Sequence, residues 1–156
     1  MAGRCWTQVI FRQEHRETVC KTLGMVSLNC EAKEWELGFE EEHEEEEGVI
    51  YASESEVNYG LFEERENLAK TGVPFYGYHS AGGNSYWPHA FAAHDGQSYE
   101  WPANDEGDPV VTLTPDGLPL AQVEKALVYL EHRKEAERQV HNRPQQEDTR
   151  DDKEVC

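Results

Sequence analysis

The chain has 156 residues, 37% of them hydrophobic and 10% aromatic, and its 32 acidic residues outnumber 14 lysines and arginines to give a formal net charge of -18. This length and composition predict one compact domain with a hydrophobic core. The charge argues against direct binding of nucleic acid or of an anionic membrane, because both need a basic protein surface.

The first half of the chain is predicted to contain strands and helices in alternation. Runs of β-branched and aromatic residues, or of alternating apolar and acidic residues, predict strands at residues 7–11, 25–29, 34–40 and 49–53. A helix is predicted for residues 13–23, ending at Gly24, and another for residues 61–71, with Gly72 as its cap.

An acidic run follows the third predicted strand. Residues 40–47 contain seven glutamates and His43. Crowded like charges disfavour a packed element. We therefore expect a solvated loop or a hairpin tip here, with Gly48 directly after it.

The second half of the chain is predicted to form a meander of strands and then a long helix. Residues 75–80 and 86–94 are expected to pair as a hairpin, because the glycine-rich residues 81–84 between them suit its turn. Asp95-Gly96 predicts a second turn. The remaining predicted elements are strands at 97–101 and 110–114, a turn at 114–117 and a helix from Leu120 to about Val140. The apolar stripe expected on that helix consists of Val123, Ala126, Leu127, Leu130 and Val140.

These elements predict an α+β fold, with a mostly antiparallel sheet, about three helices and an acidic outer face. We assign residues 1–141 to a single acidic domain. Residues 142–156 contain Pro144 and almost nothing apolar, which predicts a polar, charged and disordered tail. Because no segment has the apolar length of a signal peptide or a membrane span, we expect a cytoplasmic protein.

The net charge is concentrated in the middle of the chain. Residues 31–116 hold 21 acidic and three basic residues, whereas residues 1–30 have a net charge of +2 and residues 117–156 a net charge of -2. Far less charge would keep a small domain soluble. One hypothesis is that the carboxylates imitate the phosphates of DNA and enter the basic cleft of a DNA-handling protein. The alternative is a solvated face that only confers solubility.

Under the first hypothesis the partner is a basic, nucleic-acid-binding protein. Its binding needs neither catalysis nor a cofactor. The residues predicted to bind it are Glu34, Glu36, Glu40, Glu41, Glu42, Glu44, Glu45, Glu46, Glu47, Glu54, Glu56, Glu63, Glu64, Asp105, Glu106 and Asp108.

Three histidines offer a different chemistry. His79, His89 and His94 lie within one predicted hairpin, with Asp95 and Glu100 nearby, and imidazole and carboxylate groups are ordinary zinc ligands. The spacings of ten and five match no known ligand signature, and the odd separation puts His89 and His94 on opposite faces of a strand. A metal-dependent enzyme is thus an alternative function, and purely structural histidines are the simpler interpretation. A non-catalytic assembly protein that binds through its aromatic surface is a third alternative.

Residues 54–84 are predicted to form, in order, a strand, a short helix, a "GVPF" strand and an aromatic, glycine-rich turn. Their sequence is ESEVNYGLFEERENLAKTGVPFYGYHSAGGN. The segment resembles small acidic uncharacterised proteins of phages and plasmids, in which a "VNYG … AGIPF … GG" pattern recurs. The resemblance covers about a fifth of the chain and transfers no catalytic residue. It implies a mobile-element protein in a bacterial host, similar to anti-CRISPR or antirestriction DNA mimics that block a CRISPR effector or a restriction enzyme.

Overall fold

The computed structural model describes residues 4–29, 34–82 and 87–142, and this part of the chain has an α+β fold. Its strands are β1 (Arg4–Arg12), β2 (Val26–Asn29), β3 (Glu34–Leu37), β4 (Glu41–Glu46), β5 (Val49–Asn58), β6 (Phe75–His79), β7 (His89–His94) and β8 (Gln97–Pro102). Its α-helices are α1 (Arg16–Leu23), α2 (Phe62–Lys70) and α3 (Leu120–Val140). Two 3-10 turns, Gln13–His15 and Tyr59–Leu61, lead into α1 and α2.

Six strands form one sheet in the order β4-β5-β1-β6-β7-β8, and β2 and β3 pair with each other in a separate hairpin. All of these pairings are antiparallel, as the sequence predicted. β1 lies inside the sheet between β5 and β6. Its apolar residues therefore alternate between two buried faces, with Phe11 in one apolar cluster and Ile10 in the other.

Helices cover both faces of the sheet. Leu68 of α2 and Val19 of α1 lie in the same apolar cluster as Phe11, whereas Tyr129 of α3 lies in the cluster of Ile10. The inner strands β6 and β7 are buried at nearly every position because both of their faces are covered.

The acidic run does not form the predicted loop. Residues Glu41–Glu46 form β4, which pairs with β5 at one edge of the sheet, and the hairpin tip is confined to Glu47 and Gly48. The expected exposure is confirmed, since every residue of β4 is exposed. Charge repulsion does not prevent pairing here, because an edge strand bonds through its backbone while successive side chains point to opposite faces into water.

Residues 110–114 do not form the predicted strand. Val110 alone is tied to β8: its N–H donates to the Pro102 carbonyl at 3.0 Å, and its own carbonyl accepts from the Trp101 indole at 2.8 Å. Thr114 and Gly117 form only an isolated bridge, at the predicted turn. β-branched residues favour a strand only where a neighbouring strand offers a ladder.

The bounds predicted for the long helix are confirmed, but its buried side differs from the predicted stripe. Ala126 and Val140 are buried as expected, whereas Leu127 is 56% exposed. Tyr129 and Ala136 complete the buried side. Leu130 also packs against this side, so the predicted stripe is wrong at Leu127 and lacks Tyr129 and Ala136.

Parts of the predictions fall outside the described residues. These are residues 83 and 84 of the predicted turn, the first residue of the strand predicted at 86–94, and the tail beyond Asn142. Among the described residues, no helix combines the length and the apolar character that crossing a membrane requires.

Leu68→Ala is expected to lower the free energy of unfolding by about 2–5 kcal/mol, because truncating a fully buried leucine leaves a cavity between α2 and the sheet. Leu120→Ala is the matched control: it removes the same atoms from a side chain that is 68% exposed, and we expect a change below about 0.5 kcal/mol. Urea denaturation measures both. Equal losses in the two variants would contradict this packing of α2.

Candidate functional site

Two groups of polar residues stand out, and the first is a row of carboxylates that we call the acidic edge. The acidic edge comprises the glutamates of β4, the glutamate on either side of β4 and one glutamate of β5. Its members are Glu40, Glu41, Glu42, Glu44, Glu45, Glu46, Glu47 and Glu54. β4 carries a carboxylate at five of its six positions. Because a strand rises about 3.3–3.4 Å per residue, carboxylates recur at nearly that interval along the strand axis, divided between its two faces.

Some carboxylates of the acidic edge hold the β4–β5 hairpin together. Glu40 accepts hydrogen bonds from the N–H of Ser55 at 2.8 Å and from its hydroxyl at 2.6 Å, and these donors lower the pKa of Glu40. Glu54 in turn accepts from the N–H of Glu40 at 2.6 Å. Partial burial raises the pKa of Glu54. Both residues therefore have structural roles in addition to their charge.

Two further carboxylates contact basic side chains from other parts of the chain. Glu42 contacts the guanidinium of Arg16 in α1 at 3.0 Å, and Glu46 contacts the ring of His141 directly after α3. Arg16 and His141 thus join the acidic edge to the helices on the two faces of the sheet.

The outward part of the acidic edge consists of Glu41, Glu45 and Glu47, which are all exposed. Glu45 contacts the neighbouring His43 at 3.2 Å. Within the described part of the chain, no hydrogen bond or ion pair engages the carboxylates of Glu41 and Glu47. These three side chains are available to a partner.

The other carboxylates predicted to bind a partner lie elsewhere. Glu34 and Glu36 belong to β3 in the separate hairpin, and Glu56 belongs to β5; their side chains lie outside the described part of the structure. Glu63 and Glu64 form the first turn of α2.

A second acidic segment, containing Asp105, Glu106 and Asp108, follows β8. The Asn104 side chain shapes this loop by accepting from the N–H groups of Glu106 and Asp108, both at 2.9 Å. β4 and β8 are the first and last strands of the sheet. The loop does not stay at the β8 edge, because Gly107 lies against the ring of Tyr78 in β6, which is separated from β4 by β1 and β5.

The second polar group contains His79, His89 and Glu100. His79 of β6 lies opposite His89 of β7, and Glu100 of β8 lies opposite Phe91, two residues along from His89. Alternate residues of a strand share a face, so all three side chains project to the same side. One potential ligand atom from each residue lies within 4.8 Å of the other two.

Backbone carbonyls fix the protonation of both imidazole rings. Nδ1 of His79 lies 2.8 Å from the Ser80 carbonyl, and Nδ1 of His89 lies 2.8 Å from the Trp87 carbonyl. A carbonyl only accepts, so Nδ1 carries a proton in each ring, and Nε2 is the nitrogen that holds the lone pair in the neutral form. Burial lowers the pKa of His79 to about 4, which keeps its ring neutral at pH 7.

Arg65 of α2 anchors this cluster. The Arg65 side chain is buried, its Nε donates to the Gly60 carbonyl at 2.6 Å, and its NH2 group donates to Oε1 of Glu100 at 3.1 Å. Its guanidinium also lies 4.1 Å from the centre of the Phe91 ring. These contacts hold the Glu100 carboxylate beside the two histidines.

His94 is separated from the other two predicted histidines. It lies on the opposite face of β7, as its odd spacing from His89 predicted, and it meets α3 there. Its Nδ1 lies 2.6 Å from Oδ2 of Asp95, and its Nε2 lies 3.0 Å from Nδ1 of His132. A single site containing His79, His89 and His94 is therefore wrong, because strand pleating divides them.

The sequence indicated Glu100 only as a carboxylate near the three histidines, and it indicated no role for Arg65 or His132. The Asp95-Gly96 turn could have identified Glu100, because a two-residue turn fixes the register of β7 against β8 and so the residue opposite Phe91. No local pattern could have identified Arg65, because its contacts with β7 and β8 depend on how α2 packs.

Comparison of the chain with protein-family models, characterised proteins and solved structures gives no match. The resemblance of residues 54–84 to phage and plasmid proteins stays a prediction.

Gly60→Ala is expected to destabilise the protein more than Gly24→Ala. Both glycines have positive φ, at +59° and +77°, which costs an alanine about 1–2 kcal/mol. A Cβ on Gly60 would also lie 2.5 Å from Cδ2 of the buried His79 ring, whereas one on Gly24 would meet nothing within 4 Å. The clash should add about 1–3 kcal/mol to the loss in unfolding free energy. Equal losses by urea denaturation would show that His79 does not pack against Gly60.

Proposed function

We propose that this protein is a phage- or plasmid-encoded inhibitor that binds a basic, nucleic-acid-binding host protein through its acidic edge. The partner would be a bacterial defence protein, either a CRISPR effector or a restriction enzyme, and binding would take place in the host cytoplasm. The inhibitor would occupy the basic channel in which the partner holds DNA, and it would need no catalytic step.

The observation that carries this proposal is the spacing of charge along β4. The strand holds five exposed carboxylates in six successive positions, at a rise of about 3.3–3.4 Å per residue. One strand of B-DNA carries one phosphate per about 3.4 Å of helix axis. Counted along the axis over both of its faces, an edge strand of glutamates therefore has a charge density close to that of one DNA strand, which supports mimicry.

Electrostatic attraction would also speed the encounter. A surface of one sign attracts an oppositely charged cleft over long distances, and this effect weakens with added salt. Such binding should be strong at low ionic strength and largely lost at about 0.5 M salt, where the Debye length is about 4 Å.

A simpler role for the same glutamates is protection of the sheet edge. Charged side chains on an edge strand prevent pairing with other chains. That role needs the charges of β4 to be repulsive, but it does not need a partner. Charge reversal at the outward positions Glu41, Glu45 and Glu47 distinguishes the two roles. A variant that stays monomeric loses partner binding only if the glutamates bind a partner.

The triple variant Glu41→Lys, Glu45→Lys and Glu47→Lys is expected to lose at least about tenfold in partner binding while keeping the fold. The assay is a pull-down from a bacterial lysate that contains defence systems, with washes at low and at about 0.5 M salt, mass spectrometry to identify the partner, and titration of the purified partner. Circular dichroism and sedimentation check the fold and the oligomeric state.

The matched control is Glu66→Lys, Asp116→Lys and Glu124→Lys, which changes the net charge equally at three exposed positions outside the acidic edge. It should retain binding. Unchanged binding by the first variant, or equal loss in both, would contradict recognition by the acidic edge. A salt-resistant partner would instead favour the exposed aromatics Tyr59 and Trp87, which are 51% and 57% exposed.

A further inference from the structure

The cluster of His79, His89 and Glu100 has the composition of a metal centre. We propose that it binds one divalent transition-metal ion of the zinc type through the imidazoles of His79 and His89 and the carboxylate of Glu100. This site is separate from the acidic edge, because its ligands lie on β6, β7 and β8 and the acidic edge follows β4. Metal binding and partner binding can therefore be tested independently.

The distances permit coordination after a small contraction. Three atoms that lie within 4.8 Å of one another fit inside a circle of radius 4.8 Å/√3, or about 2.8 Å. Bonds from zinc to imidazole nitrogen and carboxylate oxygen measure about 2.0–2.2 Å, so each ligand atom needs to move by about 0.7 Å. Rotation of the Glu100 side chain and a small displacement of His89, which is only partly buried, can supply this movement.

The hydrogen bonds of the two rings suit metal binding. Because Nδ1 of each histidine donates to a backbone carbonyl, Nε2 is the nitrogen that offers the lone pair in the neutral ring. Metal-binding histidines commonly make this second hydrogen bond, which fixes the ring and increases its basicity. The Ser80 and Trp87 carbonyls thus act as orienting groups for the two rings.

Arg65 limits how Glu100 can bind. Its NH2 group occupies Oε1 of Glu100, so the metal ion would bind through Oε2, and the guanidinium would lower the affinity by charge repulsion. Three protein ligands also leave at least one coordination position for a small molecule, as in catalytic rather than structural zinc sites. The chemistry therefore fits an exchangeable ion more closely than a permanent structural one.

The experiment uses the full chain without a histidine tag, stripped with a chelator and titrated with Zn²⁺ by calorimetry, with Co²⁺ absorption as a second readout. We expect one ion per chain. His89→Gln and Glu100→Gln should each weaken binding by at least about tenfold. The glutamine at position 100 keeps an oxygen that can accept from Arg65, and thermal unfolding without metal checks that both variants fold.

Two controls identify where the ion binds. His132→Gln alters the other histidine cluster, with His94 and Asp95, and should leave the affinity unchanged. The triple lysine variant of the acidic edge should also bind one ion with unchanged affinity. The proposal is overturned if the native chain binds no stoichiometric Zn²⁺, if either control abolishes binding, or if folded His89→Gln and Glu100→Gln proteins bind as tightly as the native chain.

Discussion

Arg65 is the buried cation on which one side of this fold depends. A buried guanidinium is costly unless its charge and its donors are satisfied. Here the Gly60 carbonyl, the Glu100 carboxylate and the Phe91 ring satisfy it together. These contacts join the turn before α2 to β7 and β8, so the same interaction that seats the helix also places Glu100 beside His79 and His89.

The fold separates this cluster from most of its surplus negative charge. The Glu100 carboxylate pairs with the buried guanidinium of Arg65. Glu41, Glu45 and Glu47 instead extend into water at the β4 edge. Carboxylates with structural partners, such as Glu42 with Arg16, connect that edge to the helices. The chain thus carries two chemically distinct groups of carboxylates, one exposed along β4 and one held beside two histidines.

Local patterns predicted most elements but not the contacts between them. The bounds of α3 and the turn at Asp95-Gly96 follow from sequence because capping, periodicity and turn chemistry are local. β4 was mistaken for a loop because the sequence shows the repulsion between its glutamates. It does not show the backbone hydrogen bonds that β5 supplies, which come from another segment. The role of Arg65 was hidden for the same reason, since its partners are Gly60 nearby and Glu100, which lies 35 residues along the chain.

The central claim is that the acidic edge takes the place of DNA in a basic channel. The most direct measurement is competition: the purified partner is loaded with fluorescent duplex DNA at low salt, and this protein is added while the DNA anisotropy is followed. We expect complete displacement of the DNA, with a midpoint that rises in proportion to added unlabelled DNA. A ternary complex, in which the partner holds DNA and this protein at once, would contradict the claim.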